Sequence, residues 1–286
     1  MMRSLLFVPG DRPERFPKAL AAGADAIIID LEDSVTPATR PQARLNAAAF
    51  LRDAARRLPL WVRINPVQTA DALPDLAAIT AARPDGIVLP KARTGADLRQ
   101  LDHWLEALEV QHGLAQGSIK VIALITETAQ AMLSASTFMQ PPARVIGYTW
   151  GAEDLAADVG ASANRQADGE FEDTFRLART QCLLAAAAAR IGAYDTTDTE
   201  FRDTAAVERR AQAARRDGFV GKLAIHPAQL APIHAAFAPT AAEIAWARTV
   251  LELMSGASGA VALDGRMIDR PHVQQAERIL AALERR

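Results

Sequence analysis

Short apolar runs, rich in β-branched residues and bounded by glycine, proline or charged residues, recur through most of the chain. Most of these runs are continuous rather than alternating, which is typical of parallel strands that are buried on both faces. The pattern predicts eight strands, at Ser4–Val8, Ala26–Leu31, Leu60–Ile64, Gly86–Leu89, Lys120–Ile125, Arg144–Thr149, Gly192–Tyr194 and Gly221–Ile225.

Alanine-rich segments with helical spacing separate these runs and predict helices between the strands. The predicted helices are Pro13–Ala22, Gln42–Arg57, Ala70–Ala82, Ala96–Gly113, Thr128–Ser134, Thr174–Arg190 and Ala205–Gly218. Alternation of strand and helix predicts a parallel α/β sheet with helical crossovers. Eight strands without an obvious break favour closure into a (β/α)8 barrel of the TIM type over an open sheet.

The C-terminal segment departs from this alternation. The sequence predicts a helix over Ala241–Met254, a short strand over Ala260–Asp264 and a helix over Pro271–Ala282, with a hairpin signal at Asp264-Gly265. We therefore expect a barrel catalytic domain over 1–237 and an extension over 238–286. The extension either packs as an arm on its own barrel or reaches an adjacent subunit.

Composition narrows the class of protein. The 286 residues carry 32 Lys plus Arg against 34 Asp plus Glu, and this balance argues against nucleic acid as the main partner. A hydrophobic fraction of 50% argues against a largely disordered chain. The single cysteine, Cys182, rules out an intramolecular disulfide and a cysteine-rich zinc site, and its apolar neighbours indicate a core thiol.

Several motifs of targeting and catalysis are missing from the sequence. The apolar run near the N-terminus is too short for the core of a signal peptide, and no run approaches the roughly 20 residues of a membrane span. We therefore expect a cytoplasmic protein without a membrane partner. A Walker loop, a Rossmann glycine fingerprint and a nucleophile elbow are also lacking.

Charged residues follow six of the predicted strands, at the barrel rim where TIM-barrel chemistry occurs. They lie in Asp30-Leu31-Glu32-Asp33, Arg63-Ile64-Asn65, Pro90-Lys91, Thr126-Glu127-Thr128, Gly151-Ala152-Glu153-Asp154 and His226-Pro227. Most of these residues are acidic. A ring of carboxylates with an arginine suggests a hard divalent cation and an anionic ligand.

Glu127 and Asp154 form the best pair of metal ligands, because they follow adjacent strands. Magnesium commonly takes one or two protein carboxylates and completes its octahedron with water and substrate. The alternative is that each carboxylate only stabilises the N-terminus of the helix that follows it.

Arg63 and His226 each leave two interpretations open. The planar fork of Arg63 can bind a substrate carboxylate bidentately, or it can form a structural salt bridge with Asp30 or Glu32; the two roles are compatible. His226 precedes Pro227 at the last strand, where a structural contact with the backbone is expected more often than catalysis.

These motifs together resemble the citrate lyase beta-subunit-like family within the HpcH/HpaI aldolase group, relatives of malyl-CoA and citramalyl-CoA lyases. The resemblance spans nearly the whole chain. It rests on the rim motifs above and on 3-RSLLFVPG-10, 30-DLEDSV-35, 89-LPK-91, 127-ETA-129, 151-GAEDL-155, 221-GKLAIHPAQ-229 and 265-GRMIDRP-271.

The resemblance implies a (β/α)8 barrel that assembles as a homotrimer or hexamer, and it implies roles for individual residues. Magnesium would be held by Glu127 and Asp154, and a keto-acid carboxylate by Arg63. The substrate-binding residues would also include Gly151, Ala152, Ile225 and His226, and the CoA contacts would be Phe7, Arg12 and Lys18.

Asp269 matches an aspartate that some family members supply from the C-terminal segment of an adjacent subunit as acid or base. From the residues alone, Asp269 is a good cap for the helix that begins near Pro271, and Lys18 is a solvated helix residue. We also expect the bulky Tyr148 and Trp150 to line the approach to the metal.

The activity implied is magnesium-dependent cleavage, or formation, of a 3-hydroxyacyl-CoA such as citramalyl-CoA, malyl-CoA or a citryl thioester. The products would be an acetyl-CoA-type thioester and oxaloacetate, glyoxylate or pyruvate. The hydroxyl proton would go to a metal-bound water or to an acidic neighbour such as Glu32. Open alternatives are a citrate lyase subunit acting on a citryl-acyl-carrier protein, a malate synthase- or thioesterase-like enzyme, and an aldolase for CoA-free hydroxy keto acids.

Overall fold

The computed structural model describes residues 2–53, 58–256 and 259–283. Eight parallel strands form a closed barrel in which each strand pairs with the next along the chain and β8 pairs with β1. The strands are β1 Ser4–Pro9, β2 Ala26–Asp30, β3 Leu60–Arg63, β4 Gly86–Leu89, β5 Lys120–Leu124, β6 Val145–Thr149, β7 Gly192–Asp195 and β8 Gly221–Ala224. The predicted TIM-type barrel is thus confirmed.

Helices surround the barrel and follow its strands. They are α1 Phe16–Ala21, α2 Arg40–Asp53, α3 Ala72–Ile79, α4 Gly95–Gln111, α5 Ala129–Leu133, α6 Ala152–Val159, α7 Asp173–Ala189, α8 Thr204–Asp217 and α9 Leu230–Phe237. The sequence did not predict α6 or α9, which have only eight residues each. The predicted end of the second helix, residues 54–57, lies outside the described residues.

Two apolar cores lie on opposite sides of the strands. The larger core fills the space between the strands and the surrounding helices and includes the fully buried Cys182. The smaller core fills the inside of the barrel and contains Leu5, Ala26, Ile28, Trp61, Val88, Ile122, Leu124, Tyr194 and Leu223. Since this interior is packed, the polar groups that follow the strands are confined to the rim.

The C-terminal extension has a small core of its own. Helix α10, Ala241–Ser255, packs on helix α11, Arg270–Ala281, and a hairpin of β9, Val261–Leu263, and β10, Arg266–Ile268, connects them. Asp264 and Gly265 both have positive φ, 48° and 73°, as the predicted two-residue hairpin turn requires. An ion pair of 2.9 Å between Arg215 of α8 and Glu243 links the extension to the barrel.

None of the helices in the described part of the chain is both long and apolar enough to span a bilayer.

Gly86 allows the indole of Trp61 to close the bottom of the barrel. A Cβ placed on Gly86 would lie 2.2 Å from Cζ3 and 2.4 Å from Cε3 of Trp61, on a rigid ring that has no room to move. We predict that Gly86→Ala lowers the free energy of unfolding by about 1–3 kcal/mol or more, the usual cost of overpacking.

Urea or thermal unfolding measures this effect. Gly256→Ala is the matched control, because φ at Gly256 is −112° and no atom of the described chain lies within 4 Å of its added Cβ. Equal stability of the two variants would contradict the packing role of Gly86.

Candidate active site

Arg63 and Asp30 form the base of the candidate site. They are register partners at the ends of β3 and β2, and their side chains pair bidentately, with Nε–Oδ1 at 2.7 Å and Nη2–Oδ2 at 2.8 Å. Burial alone would raise the pKa of Asp30, but Arg63 and Ser34 outweigh it and hold the pKa below its usual value. Of the two interpretations of Arg63, the salt bridge to Asp30 is therefore present in the structure.

The rest of the Arg63 guanidinium faces two further carboxylates at the rim. Nη1 lies 3.2 Å from Oε2 of Glu32 and 3.3 Å from Oδ2 of Asp33, and Asp33 is half exposed. The guanidinium also lies over the ring of Phe7, 4.8 Å from its centroid. Arg63 is thus held on one edge by Asp30 and on one face by Phe7, and its Nη1 is the part of the guanidinium nearest the half-exposed Asp33.

Glu32 is held between two cations. Its Oε1 contacts the Lys91 ammonium at 2.5 Å, and its Oε2 contacts Arg63 but accepts no hydrogen bond from the described residues. Burial raises the pKa of Glu32 to about 7, because the two nearby cations only partly offset the cost of desolvation. A carboxyl group with a pKa near neutrality can accept or donate a proton during a reaction.

Glu127 is the most deeply buried carboxylate of the site, with only 2% of the residue exposed. Its Oε2 accepts a hydrogen bond of 2.7 Å from the backbone N–H of Lys91. Burial, together with the negative charges of Asp154 and Glu32, raises its pKa well above the ordinary value. A carboxylate in this position would be stabilised by a bound cation.

Asp154 lies in the first turn of α6, with its side chain 29% exposed and 3.1 Å from the Lys91 ammonium. Helix α6 begins immediately after Gly151, and a Cβ on Gly151 would lie 2.5 Å from Oε1 and 2.9 Å from Cγ of Glu127. The absence of a side chain at residue 151 therefore allows the β6–α6 turn to approach Glu127. The structure brings Glu127, Asp154, Gly151 and Ala152 to one place.

Lys91 is a site residue that the sequence reasoning did not select. It follows β4, has a left-handed φ of 50°, and places its ammonium among Glu32, Asp33 and Asp154. The signal available in the sequence was a charged residue directly after an apolar strand, which is also common for solvated lysines.

The donor set fits a hard divalent cation. Five carboxylates, those of Asp30, Glu32, Asp33, Glu127 and Asp154, converge with only two cations, Arg63 and Lys91. Among the described residues, no group of three His, Cys, Asp or Glu side chains could hold a metal ion by itself. An ion at Glu127 and Asp154 would therefore take two protein oxygens and complete its shell with water and substrate, as magnesium commonly does.

His226 and Ile225 lie at the end of β8. The His226 ring stacks on Phe201 at 4.4 Å between centroids, and its Nδ1 accepts a hydrogen bond of 3.2 Å from the N–H of Ala228. Ile225 is 41% exposed and donates its backbone N–H to Gln229. The structure thus gives His226 a structural role in the turn after β8, and both side chains remain accessible for contact with a ligand.

The side chains predicted to contact CoA lie around the loop after β1. Those of Arg12 and Lys18 are exposed, and Arg12 lies 3.9 Å from a carboxylate oxygen of Asp11. Phe7 lies deeper, beneath Arg63. Both cations are therefore accessible to a phosphate group at the rim.

Asp269 lies in the extension, apart from the carboxylate cluster. It is the N-cap of α11, as the residues alone predicted, and its Oδ1 lies 2.6 Å from Nδ1 of His272. It also lines a cavity of about 540 Å³ with residues of the extension such as Leu251 and Val273. Within the described part of one chain, the ion pair and side-chain hydrogen bonds of Asp269 are with His272 and not with Glu127 or Arg63.

The expectation that Tyr148 and Trp150 line the approach to the metal is wrong. Both side chains are fully buried; the Tyr148 hydroxyl donates to the carbonyl of Phe138, and the Trp150 Nε1 donates to Asp195 at 2.9 Å. Trp150 also packs edge-on against Phe171. These two residues anchor the β6–α6 turn from behind the barrel wall.

Comparison with known proteins agrees with this fold. The profile of the HpcH/HpaI aldolase/citrate lyase family matches residues 3–227, and that of a C–C bond lyase family of the TIM-barrel fold matches residues 178–284. A citrate lyase subunit beta-like protein of Mycobacterium tuberculosis is 37% identical over 275 residues, which cover 96% of this chain and 93% of that protein. A (3S)-malyl-CoA thioesterase of Cereibacter sphaeroides is 32% identical over 292 residues, covering 99% and 94%.

The chain is also similar in structure to a solved protein. The protein CitE from M. tuberculosis, in complex with magnesium, acetoacetate and coenzyme A, superposes with a TM-score of 0.84 at 36% identity, covering 99% of this chain and 98% of that one. Family profile, relatives and barrel agree, and the chain belongs to the HpcH/HpaI aldolase/citrate lyase family of carbon–carbon lyases.

Proposed function

We propose that this enzyme is a magnesium-dependent lyase that cleaves, or in reverse forms, a 3-hydroxyacyl-CoA thioester such as malyl-CoA, citramalyl-CoA or a citryl thioester. Its products would be an acetyl-CoA-type thioester and a 2-keto acid. The observation that carries the proposal is the convergence of Glu127 and Asp154 near Arg63 at the barrel rim. The CitE complex with magnesium, acetoacetate and coenzyme A supports this choice of ligands.

Substrate binding would begin at Arg63. Because Asp30 occupies one edge of the guanidinium, the carboxylate of the substrate would replace the half-exposed Asp33 at Nη1. Gly151 and Ala152 lie at the start of α6, where backbone N–H groups stabilise bound anions. Ile225 and His226 would line the acyl pocket, and Phe7, Arg12 and Lys18 would contact CoA.

The reaction would need one group to remove the hydroxyl proton and another to protonate the departing carbon. Glu32, with its pKa of about 7, would accept the hydroxyl proton while the C–C bond breaks, which leaves a keto acid and a thioester enolate. Magnesium at Glu127 and Asp154 would polarise the reacting oxygen. Asp269 of a neighbouring copy would then protonate the enolate carbon, since Asp269 lies apart from the site of its own chain.

This assignment requires at least two copies of the chain, and we propose the homotrimer or hexamer that the family resemblance implies, located in the cytoplasm. A thioesterase-like activity is the second candidate, because one relative is named a (3S)-malyl-CoA thioesterase. That activity would release free CoA thiol, whereas a lyase alone would not.

The first test is a magnesium-dependent assay against malyl-, citramalyl- and methylmalyl-CoA, with keto acid, acyl-CoA and free thiol measured separately. We predict cleavage of at least one thioester, and a fall in rate by about two orders of magnitude or more in Glu127→Gln and Asp154→Asn, which remove the charge that holds the ion. Glu153→Gln, next to Asp154 but exposed, is the control. Wild-type rates in either ligand variant would rule out this metal site.

Arg63→Lys tests recognition of the keto acid. A lysine cannot provide the planar fork that Asp30 and a substrate carboxylate share, so the KM for the keto acid in the condensation direction should rise about 10- to 100-fold. Arg144→Lys is the control, because Arg144 is also a buried arginine, with a side chain 2% exposed against 12% for Arg63, and is paired bidentately with Glu109 away from the rim. We expect the Arg144→Lys control to lower the Tm and leave the KM unchanged. An unchanged KM in Arg63→Lys would show that Arg63 does not bind the substrate.

Asp269→Asn tests whether the extension completes the site of another copy. We predict a lower kcat with an unchanged KM, since Asp269 would act only on the enolate carbon. Asp264→Asn, in the hairpin turn, is the control.

Co-expression of Asp269→Asn and Glu127→Gln chains should restore about a quarter of the wild-type activity, because some sites of a mixed symmetric oligomer receive both intact residues. An inactive mixture, or full activity of Asp269→Asn alone, would contradict a shared site.

A further inference from the structure

Lys91 has an unusual backbone conformation at the end of β4. Its φ of 50° lies in the left-handed region, which non-glycine residues rarely adopt, and the residue before it is Pro90. Such conformations persist where the surrounding structure holds them, often at functional sites. Here the backbone N–H of Lys91 donates to Oε2 of Glu127 at 2.7 Å, so the unusual conformation serves a contact with a proposed ion ligand.

The side chain of Lys91 reaches the other proposed ligand. Its ammonium lies 3.1 Å from Oδ1 of Asp154, 2.5 Å from Oε1 of Glu32 and 3.2 Å from Oδ1 of Asp33. A single residue therefore contacts both Glu127 and Asp154, with its backbone and with its ammonium. The ammonium has three donors and three carboxylate partners, on two sides of the site.

An ammonium and a divalent ion compete for the same carboxylate. Both are cations, and they repel each other when both contact the same carboxylate. This repulsion opposes simultaneous binding of the ammonium and the ion to Asp154. Glu32 and Asp33 already contact the ammonium, so they offer it a place away from Asp154. The flexible four-carbon stem of lysine permits a short movement between these partners.

We propose that Lys91 is an internal counter-cation that competes with the divalent ion: its ammonium, which contacts Glu32, Asp33 and Asp154, gives up the contact with Asp154 when the ion binds and keeps those with Glu32 and Asp33. Lys91 is a positioning residue in this scheme, and it sets the affinity for the ion. The inference rests on the proposed function, because it takes Glu127 and Asp154 as the ion ligands.

Calorimetric titration of the full-length protein with Mg²⁺ alone, without substrate, measures this affinity. Lys91→Met removes the competing charge and keeps the length of the side chain, so the Kd for Mg²⁺ should become about five- to tenfold lower than in the wild type, a typical coupling between two binding events. Lys120→Met, at the start of β5 where its ammonium binds the carbonyl of Gly117, should leave the Kd unchanged. An equal or higher Kd in Lys91→Met would overturn the proposal.

A double-mutant cycle with Asp33→Asn separates movement of the ammonium from a general charge effect. In the wild-type background, Asp33→Asn removes one of the two carboxylates that hold the ammonium away from Asp154, so Mg²⁺ binding should weaken several-fold. In the Lys91→Met background, the same change should have a much smaller effect. Equal effects in both backgrounds would show a through-space charge effect only, and would overturn the displacement.

Two further variants keep the test decisive. Lys91→Gln replaces Lys91→Met if the latter shows no cooperative melting transition, with the same expected direction. Lys91→Arg keeps the charge and should not bind Mg²⁺ more tightly than the wild type. The proposed function would be contradicted if the wild type did not bind Mg²⁺, or if Glu127→Gln and Asp154→Asn bound it as tightly as the wild type. This inference alone would be contradicted if those two variants lost Mg²⁺ binding while Lys91→Met kept the wild-type Kd.

Discussion

An excess of negative charge at the mouth of the barrel is the constraint on which the rest of the site depends. Five carboxylates meet there, and Arg63 and Lys91 balance only part of their charge. Buried charges without compensation are costly, so such a cluster is stabilised by protonation of a carboxylate or by a further cation. Burial is the main cause of the raised pKa values of Glu127 and Glu32, and the neighbouring carboxylates add to it. A divalent ion would relieve the excess of negative charge, and the chemistry proposed for the site follows from that ion and from the guanidinium beside it.

The barrel supplies the rigidity that this concentration of charge requires. Apolar residues pack both faces of the strands, and the charged residues of the candidate site lie where the strands end. Trp150, behind the wall, hydrogen-bonds to Asp195, which also accepts from the buried ammonium of Lys222 at 3.0 Å. This second, balanced group of charges anchors the turn that carries Gly151 and Asp154. The Asp195–Lys222 pair thus fixes the barrel wall beside the rim, where the carboxylate cluster has an excess of negative charge.

The sequence predicted the barrel because its continuous apolar runs and alternating helices are local features that tertiary contacts do not override. It also selected Glu127, Asp154 and Arg63, since the carboxyl ends of all the parallel strands of a barrel meet at the same rim. It did not predict the direction of Trp150 and Tyr148. The register of β5 and β6 shifts between Val121 and Ile122, and a shift of one residue changes which face a side chain occupies. Lys91 was not selected because its role depends on a left-handed backbone and on three partners distant in sequence.

Asp269 shows a different limit of prediction, because the motif around it is local but its proposed target lies on another copy of the chain. The direct test of the central claim concerns the ion itself. Crystals of the protein grown with Mn²⁺ and pyruvate should give an anomalous difference peak that contacts one carboxylate oxygen of Glu127 and one of Asp154, beside the Arg63 guanidinium. A peak bound elsewhere, or its absence from crystals of protein whose activity depends on Mn²⁺, would contradict the account.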